Sequence, residues 1–264
     1  MRIARFAHPE GFAFGRIDGA EGAEIVSEVA DHPFGEHQLT GRSWALADVR
    51  LLAPVLPTKI VCVGKNYADH VKEMADVTGG GSATPPEAPV LFLKPSTTVI
   101  GPNDPIRRPT DSDRVDYEGE LAAVIGNVVR DVAPEQALSM VLGYTCGNDV
   151  TARDQQQADG QWTRGKGHDS FCPLGPWIET DLDPRDLAIR TELDGEVRQE
   201  SRTSLLLHDV AYLISYASHV MTLLPGDVVL TGTPAGVGPM VAGQSVSVTV
   251  EGIGTLTNPV IDRT

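Results

Sequence analysis

Two glutamates one residue apart, Glu118 and Glu120, lead into the apolar run Leu121-Ala122-Ala123-Val124-Ile125. If this stretch is a strand, both carboxylates point to one face, because side chains alternate with period two. Two such charges about 4 Å apart repel by on the order of 4 kcal/mol at an effective dielectric near 20. Asp149, closing Gly143-Tyr144-Thr145-Cys146-Gly147-Asn148-Asp149, is a candidate third member. Three acids together call for a cation or for raised pKa values. An all-oxygen set is hard, which suits Mg²⁺, Mn²⁺ or Ca²⁺ and not a soft metal. Taken alone, a Glu-x-Glu pair is common and more often simply faces water on an edge strand.

The elements that must position these acids are short. Gly11 to Ile17 alternates like a strand, with turns at Asp18-Gly19 and near Pro33, so the chain opens as a small β-rich unit. Leu51 to Pro57 reads as a connection. Lys59 to Gly64 is a buried strand, Asn66 to Met74 is compatible with helix, and Gly79 to Pro86 is a Gly/Pro cluster expected to form a mobile loop. Val90 to Leu93, Glu120 to Ile125 and Leu142 to Cys146 read as further strands. Pro134 opens a helix through about Val141. Asp209 to Leu223 carries apolar residues at the spacing of one buried helical face. Val228 to Leu230, Val246 to Val250 and Gly254 to Leu256 are short strands. Arg107-Arg108 and Asp111 to Asp116 read as a solvated loop. Many strands and few helices indicate a mainly β, α+β architecture, with no alternating βα units.

Composition narrows the function classes. The 264 residues are 41% hydrophobic, enough for a core, and carry a formal net charge of −15. An acidic chain repels phosphate backbones and anionic lipid, so nucleic acid and membrane are not expected partners. The N-terminus lacks the apolar stretch of a signal peptide, and no run approaches the ~18 apolar residues that span a bilayer. Cys62, Cys146 and Cys172 lie in no C-x-x-C spacing and read as reduced, buried thiols, so a cytoplasmic location is expected. Gly64-Lys65-Asn66 and Gly165-Lys166-Gly167 lack the rest of a P-loop, and Gly236-Val237-Gly238 lacks the third glycine of a dinucleotide fingerprint. No nucleotide cofactor is expected.

Tyr117-Glu118-Gly119-Glu120-Leu121, followed by Gly143 through Asp154, resembles the central signature of the fumarylacetoacetate hydrolase family, in its short bacterial-type members. Lys59-Ile60-Val61-Cys62-Val63-Gly64-Lys65-Asn66-Tyr67-Ala68-Asp69-His70 is similar to the family's opening motif, and Thr231 to Gly238 to its closing loop. Phe92-Leu93-Lys94-Pro95, Lys166 and Phe171 to Pro176 stand between them in family order. The resemblance covers about residues 58 to 260. It implies a mixed β-sandwich or roll, with residues 1–53 as a small N-terminal β-rich subdomain and 58–264 as the catalytic domain. It further implies Glu118, Glu120 and Asp149 as metal ligands, with Mg²⁺ or Mn²⁺ expected and Ca²⁺ a further candidate. His70 and Glu73 match a catalytic pair of the acylpyruvate-cleaving members, and Lys166 the lysine facing the substrate. Thr233 matches a binder of the substrate carboxylate, with Arg153 and Gln156 at positions of polar substrate contacts. A homodimer is the implied assembly. The large N-terminal domain and the extra aspartate ligand of the longer members are missing, so fumarylacetoacetate itself is not the expected substrate.

A small 2-keto acid is the expected ligand. Three reactions remain open: hydrolysis of an acylpyruvate-type 2,4-diketo acid, decarboxylation of oxaloacetate, and isomerisation of 2-hydroxyhepta-2,4-diene-1,7-dioate in aromatic-acid breakdown. The pair His70 and Glu73 favours the first, because only hydrolysis needs a base for an attacking water. The segment carrying His70 is expected to act as a lid over bound substrate.

Overall fold

The computed structural model describes residues 1–20, 22–78 and 84–263. The fold is α+β with more strand than helix, and the longest helices described, Ala68–Thr78 and Val210–Val220, have 11 residues each.

The Gly119–Ile125 strand shows why the sequence folds this way. All seven of its residues are buried. Leu121, Ala123 and Ile125 enter one core with Leu213, Ile214 and Ala217 of the Val210–Val220 helix and with Val248 and Leu256. Ala122 and Val124 enter a second core with Ile60, Cys62, Leu174, Ile178 and Leu230. A strand covered on both faces carries a continuous apolar run, which is what the sequence shows. Glu118 and Glu120 share the parity of Ala122 and Val124, so the acids stand where the second apolar face ends.

This strand lies inside a 12-stranded sheet. Its neighbours are Val141–Asn148 and Val228–Leu230, both antiparallel to it. Beyond Val228–Leu230 come Ile60–Gly64, in parallel register, and the edge strand Val90–Lys94. On the other side, Cys172–Glu179 pairs with Val141–Asn148, and the N-terminal strand Arg2–His8 joins through Arg2 opposite Glu179. The strands of the first fifty-odd residues thus extend the large sheet, while Phe6, Ala13, Ile17 and Val26 form a small core of their own. A five-stranded sheet ordered Glu196–Arg202, Ala188–Leu193, Ser245–Val250, Gly254–Asp262, Ile106–Arg108 lies beside it. Thr151–Ala152, Val115–Tyr117 and Gly238–Pro239 make a third, short sheet.

Asp209 caps the Val210–Val220 helix, its carboxylate accepting from the Tyr212 N–H at 2.8 Å. The helix expected from Pro134 keeps α geometry only to Ala137 and then tightens to a 3₁₀ turn, Leu138–Met140, before the next strand starts at Val141. Residues 79–83 of the expected Gly/Pro loop lie outside the described residues. No described helix is long and apolar enough to cross a membrane. Cys62, Cys146 and Cys172 are free and buried. Burial pushes the Cys146 and Cys172 thiols up to about 12, and raises Cys62 well above its ordinary value.

Gly119, between the two glutamates, is a point of close approach. A Cβ there would collide with the Thr191 hydroxyl and meet Val248 at 3.3 Å. Gly119→Ala is therefore expected to cost about 1–3 kcal/mol through overpacking. Urea unfolding followed by circular dichroism reads that loss as a lowered midpoint. An unchanged midpoint would show that the two sheets part easily here.

Candidate active site and metal centre

Three chain segments bring the acids together. Glu118 occupies the break between the strands Val115–Tyr117 and Gly119–Ile125. Its N–H donates to Asn148 Oδ1 at 2.9 Å, and its carbonyl accepts from the Asp149 N–H at 2.8 Å. Those two bonds set Asp149, just past the Val141–Asn148 strand, beside Glu118. Glu120, two residues into the next strand, accepts the Gly232 N–H at 2.6 Å. One carboxylate oxygen from each of Glu118, Glu120 and Asp149 lies within 4.8 Å of the others, and all three residues are buried.

Cations surround two of the three acids. Lys166 Nζ donates to Glu118 Oε2 at 2.8 Å and to Asp149 Oδ2 at 2.7 Å. Lys94 reaches the other oxygen of Asp149 and the Val150 carbonyl. Arg153 bonds Glu118 through Nη2, Asp116 through Nε at 3.0 Å and Gln156 through Nη1 at 2.7 Å. Burial alone would raise the Glu118 carboxyl, yet the charges of Lys166 and Arg153 hold it well below the usual carboxylate range. Burial likewise works against the Lys166 ammonium, but Asp149 and Glu118 raise its pKa. Glu120 differs. Burial pushes its pKa well above the ordinary value, the charges of Asp149 and Glu118 add to that, and the Gly232 N–H opposes only in part. A buried carboxylate in that position is short of positive charge. The donor set, three oxygen ligands with one uncompensated acid, fits a hard divalent cation.

His70 faces this cluster from the first turns of the Ala68–Thr78 helix. The helix start is pinned by Asn66, whose amide donates to the His208 and Thr231 carbonyls and accepts the His208 N–H. His70 is buried, with Nδ1 3.2 Å from Glu73 Oε2. The other oxygen of Glu73 accepts the Gly236 N–H at 3.0 Å, so the carboxylate holds the imidazole and the closing loop together. Thr233, in that loop, donates its hydroxyl to the Gly119 carbonyl and accepts from Gln199 Nε2. Its one hydroxyl proton is thereby committed within the protein.

Glu118, Glu120, Asp149, His70, Lys166, Arg153, Gln156 and Thr233 line one cavity of about 480 Å³. Glu73 stands behind His70. Several residues of this network were not singled out from sequence. Lys94 is fully buried and ion-paired, although an isolated Lys ending an apolar strand gave no sign of it beyond its place in Phe92-Leu93-Lys94-Pro95. Asp116 corrects the solvated-loop reading of Asp111 to Asp116: it is fully buried in the Val115–Tyr117 strand, clamped between Arg114 and Arg153. Apolar Val115 and Tyr117 on either side signalled a strand here, but not that the face carrying Asp116 is covered. Lys94→Met would leave one oxygen of Asp149 buried without its ion pair, and is expected to destabilise the protein by about 3–5 kcal/mol. Chemical denaturation checks it, and a loss below about 1 kcal/mol, the range of an exposed pair, would contradict the burial of this bond.

Comparison with known proteins decides the family. The profile described as Fumarylacetoacetate (FAA) hydrolase C-terminal matches residues 59–261. The chain belongs to the fumarylacetoacetate hydrolase family. Residues 1–54 match a second profile, described as Rv2993c-like, N-terminal. Protein Rv2993c of Mycobacterium tuberculosis is 60% identical over 269 residues, covering 100% of this chain and 99% of the relative. The oxaloacetate tautomerase fahd2, mitochondrial, of Xenopus laevis is 42% identical over 228 residues, 81% of this chain and 69% of that protein. Among solved structures, a 5-carboxymethyl-2-hydroxymuconate delta-isomerase from Mycobacterium smegmatis superposes with a TM-score of 0.92 at 59% identity, covering 100% of both chains. A maleylpyruvate hydrolase from Sphingobium sp. SYK-6, in complex with manganese(II) ion and pyruvate, gives a TM-score of 0.79 at 30% identity over 100% of both chains. Members of this fumarylacetoacetate hydrolase family are enzymes, and the buried acids here form a site able to hold a divalent metal.

Proposed function

We propose that this protein is a divalent-metal-dependent hydrolase that cleaves the C–C bond of a small acylpyruvate-type 2,4-diketo acid. The observation that carries this reading is the His70–Glu73 pair, held over three buried acids in one cavity. Glu118, Glu120 and Asp149 would hold the cation, Mg²⁺ or Mn²⁺, which when bound supplies Lewis acidity to the 2-keto acid end of the substrate. A proton on Nδ1 of His70, donated to Glu73, leaves Nε2 free to take a proton from water. The water oxygen bonds to C4, the C3–C4 bond breaks, and C3 receives a proton, giving a carboxylic acid and pyruvate. Glu73 fixes the imidazole's tautomer and orientation. Lys166 adds positive charge beside the developing enolate, and Arg153 and Gln156 offer polar contacts along the wall.

A second reading is proton transfer alone: enol–keto isomerisation of a dienedioate or of oxaloacetate. The isomerase and tautomerase names of two relatives support it. Oxaloacetate decarboxylation would use the same acids and Lys166 without an attacking water. One panel separates these reactions: acetylpyruvate, fumarylpyruvate, oxaloacetate and a 2-hydroxy-dienedioate, each with Mg²⁺, with Mn²⁺ and after chelation. Hydrolysis predicts released carboxylic acid with equimolar pyruvate, lost on chelation. Turnover of oxaloacetate or the dienedioate with no cleavage of either acylpyruvate would overturn the hydrolase reading in favour of the second.

A further inference from the structure

The cavity is larger than the chemistry at its floor requires. Its volume of about 480 Å³ has room for many waters, more than a three-carbon keto acid displaces. Burial divides it into two ends. The acids and Lys166 lie buried at the floor, while Lys65 and Trp162 are half-buried and Gln157 and Gly160 are exposed at the mouth. The reacting carbons belong at the floor, so the mouth receives the far end of the substrate.

Three cationic side chains line this cavity, and two are already committed. Arg153 is bonded to Glu118 and Asp116, and Lys166 to Glu118 and Asp149. Lys65 has no carboxylate within ion-pair distance among the described residues. Its backbone also takes an uncommon form, with φ at 61°. A turn that needed only the left-handed conformation would be served at less cost by Gly or Asn. A lysine held there at a cavity mouth, with a free ammonium, is placed for an anion. Gly64 beside it has no room for a Cβ, which would meet the Trp162 ring at 2.6 Å, so the Trp162 ring packs directly on the backbone that presents Lys65.

We propose that Lys65 recognises a second carboxylate at the far end of the substrate, which makes the preferred substrates dianions: 2-keto acids ending in a carboxylate. This rests on the 2-keto acid end binding at the acids, as in the function proposed above, but not on which reaction follows. Lys65 is a specificity residue and takes no part in bond cleavage. The test is calorimetric titration of the Mn²⁺-loaded protein with 2-oxoadipate and with 2-oxohexanoate, two six-carbon keto acids that differ in the terminal carboxylate. The wild type is expected to bind the dianion about tenfold or more tightly than the monoanion, the effect of one charge-assisted contact. Lys65→Met should bring the two affinities within about twofold of each other by weakening only the dianion. Lys65→Arg should keep most of the preference. An unchanged preference in Lys65→Met, equal weakening of both acids, or no dianion preference in the wild type would each overturn the assignment. Failure of the hydrolase reading shows separately, as absent cleavage of acylpyruvates by a protein whose calorimetric preference persists.

Discussion

Glu120→Gln is expected to lower turnover of every substrate of the wild type by about a thousandfold or more, the loss of the ~4 kcal/mol that a bound Lewis acid contributes to the transition state. The same change should leave the metal-free protein as stable as the wild type, or more so. Glu120 is a buried acid whose ionised form is disfavoured by burial and by Asp149 and Glu118, and the Gly232 N–H and the charge of Lys166 offset that only in part. An amide of the same shape keeps that bond and removes the charge. Thermal melts with and without Mn²⁺ distinguish the outcomes. The wild type should gain stability on adding metal, about 2.7 kcal/mol at a hundredfold excess over Kd, and the variant should not. A lowered melting temperature in the variant without metal, with the metal-induced shift intact, would make Glu120 a structural acid. The pH dependence has a defined sign. Folding raises the Glu120 pKa, so its ionisation destabilises the metal-free native state progressively as pH rises above the ordinary carboxylate range, and the Gln variant lacks that slope. Glu118, held low, contributes with the opposite sign: its stabilisation is present above the ordinary range and is lost as pH falls toward its folded value.

His70→Ala should divide the candidate reactions. Removing the base from beside the acids is expected to slow acylpyruvate hydrolysis by about 10²–10⁴-fold. Decarboxylation of oxaloacetate, which needs no attacking water, should keep most of whatever rate the wild type shows. Glu73→Gln should be milder than His70→Ala, since an amide can still accept from the imidazole, but it weakens the tie to the Gly236 N–H. Product analysis on both substrates reads the split directly. Equal losses in the two reactions would mean that His70 acts in a step they share, such as proton transfer to C3.

The sequence was most legible where one physical rule governed. The continuous apolar run Leu121 to Ile125 located the strand, and the period-two direction of strand side chains predicted that Glu118 and Glu120 would share a face. What alternation did not show is that Glu118 stands in a break between two strands, held by Asn148 and Asp149 across a pairing distant in sequence. The burial of Lys94 was illegible for the same reason, because its partner Asp149 arrives from another strand. Asp116 was misread because charged residues crowd Asp111 to Asp116, and because its face of the strand is covered by a partner, Arg153, that is distant in sequence. Thr233 was placed at the substrate carboxylate by family resemblance alone, and the resemblance did not show that its hydroxyl bonds Gly119 and Gln199 within the protein.

Because all three thiols are enclosed and poorly ionised, Cys62, Cys146 and Cys172 should be silent toward alkylating reagents in the native state. Labelling therefore becomes a clock: each adduct records a moment when the surrounding sheet came apart. Cys62 lies on the strand that leads to His70, and Cys146 on the strand that ends just before Asp149. Mass spectrometry of timed samples could then rank which wall of the catalytic chamber breathes first.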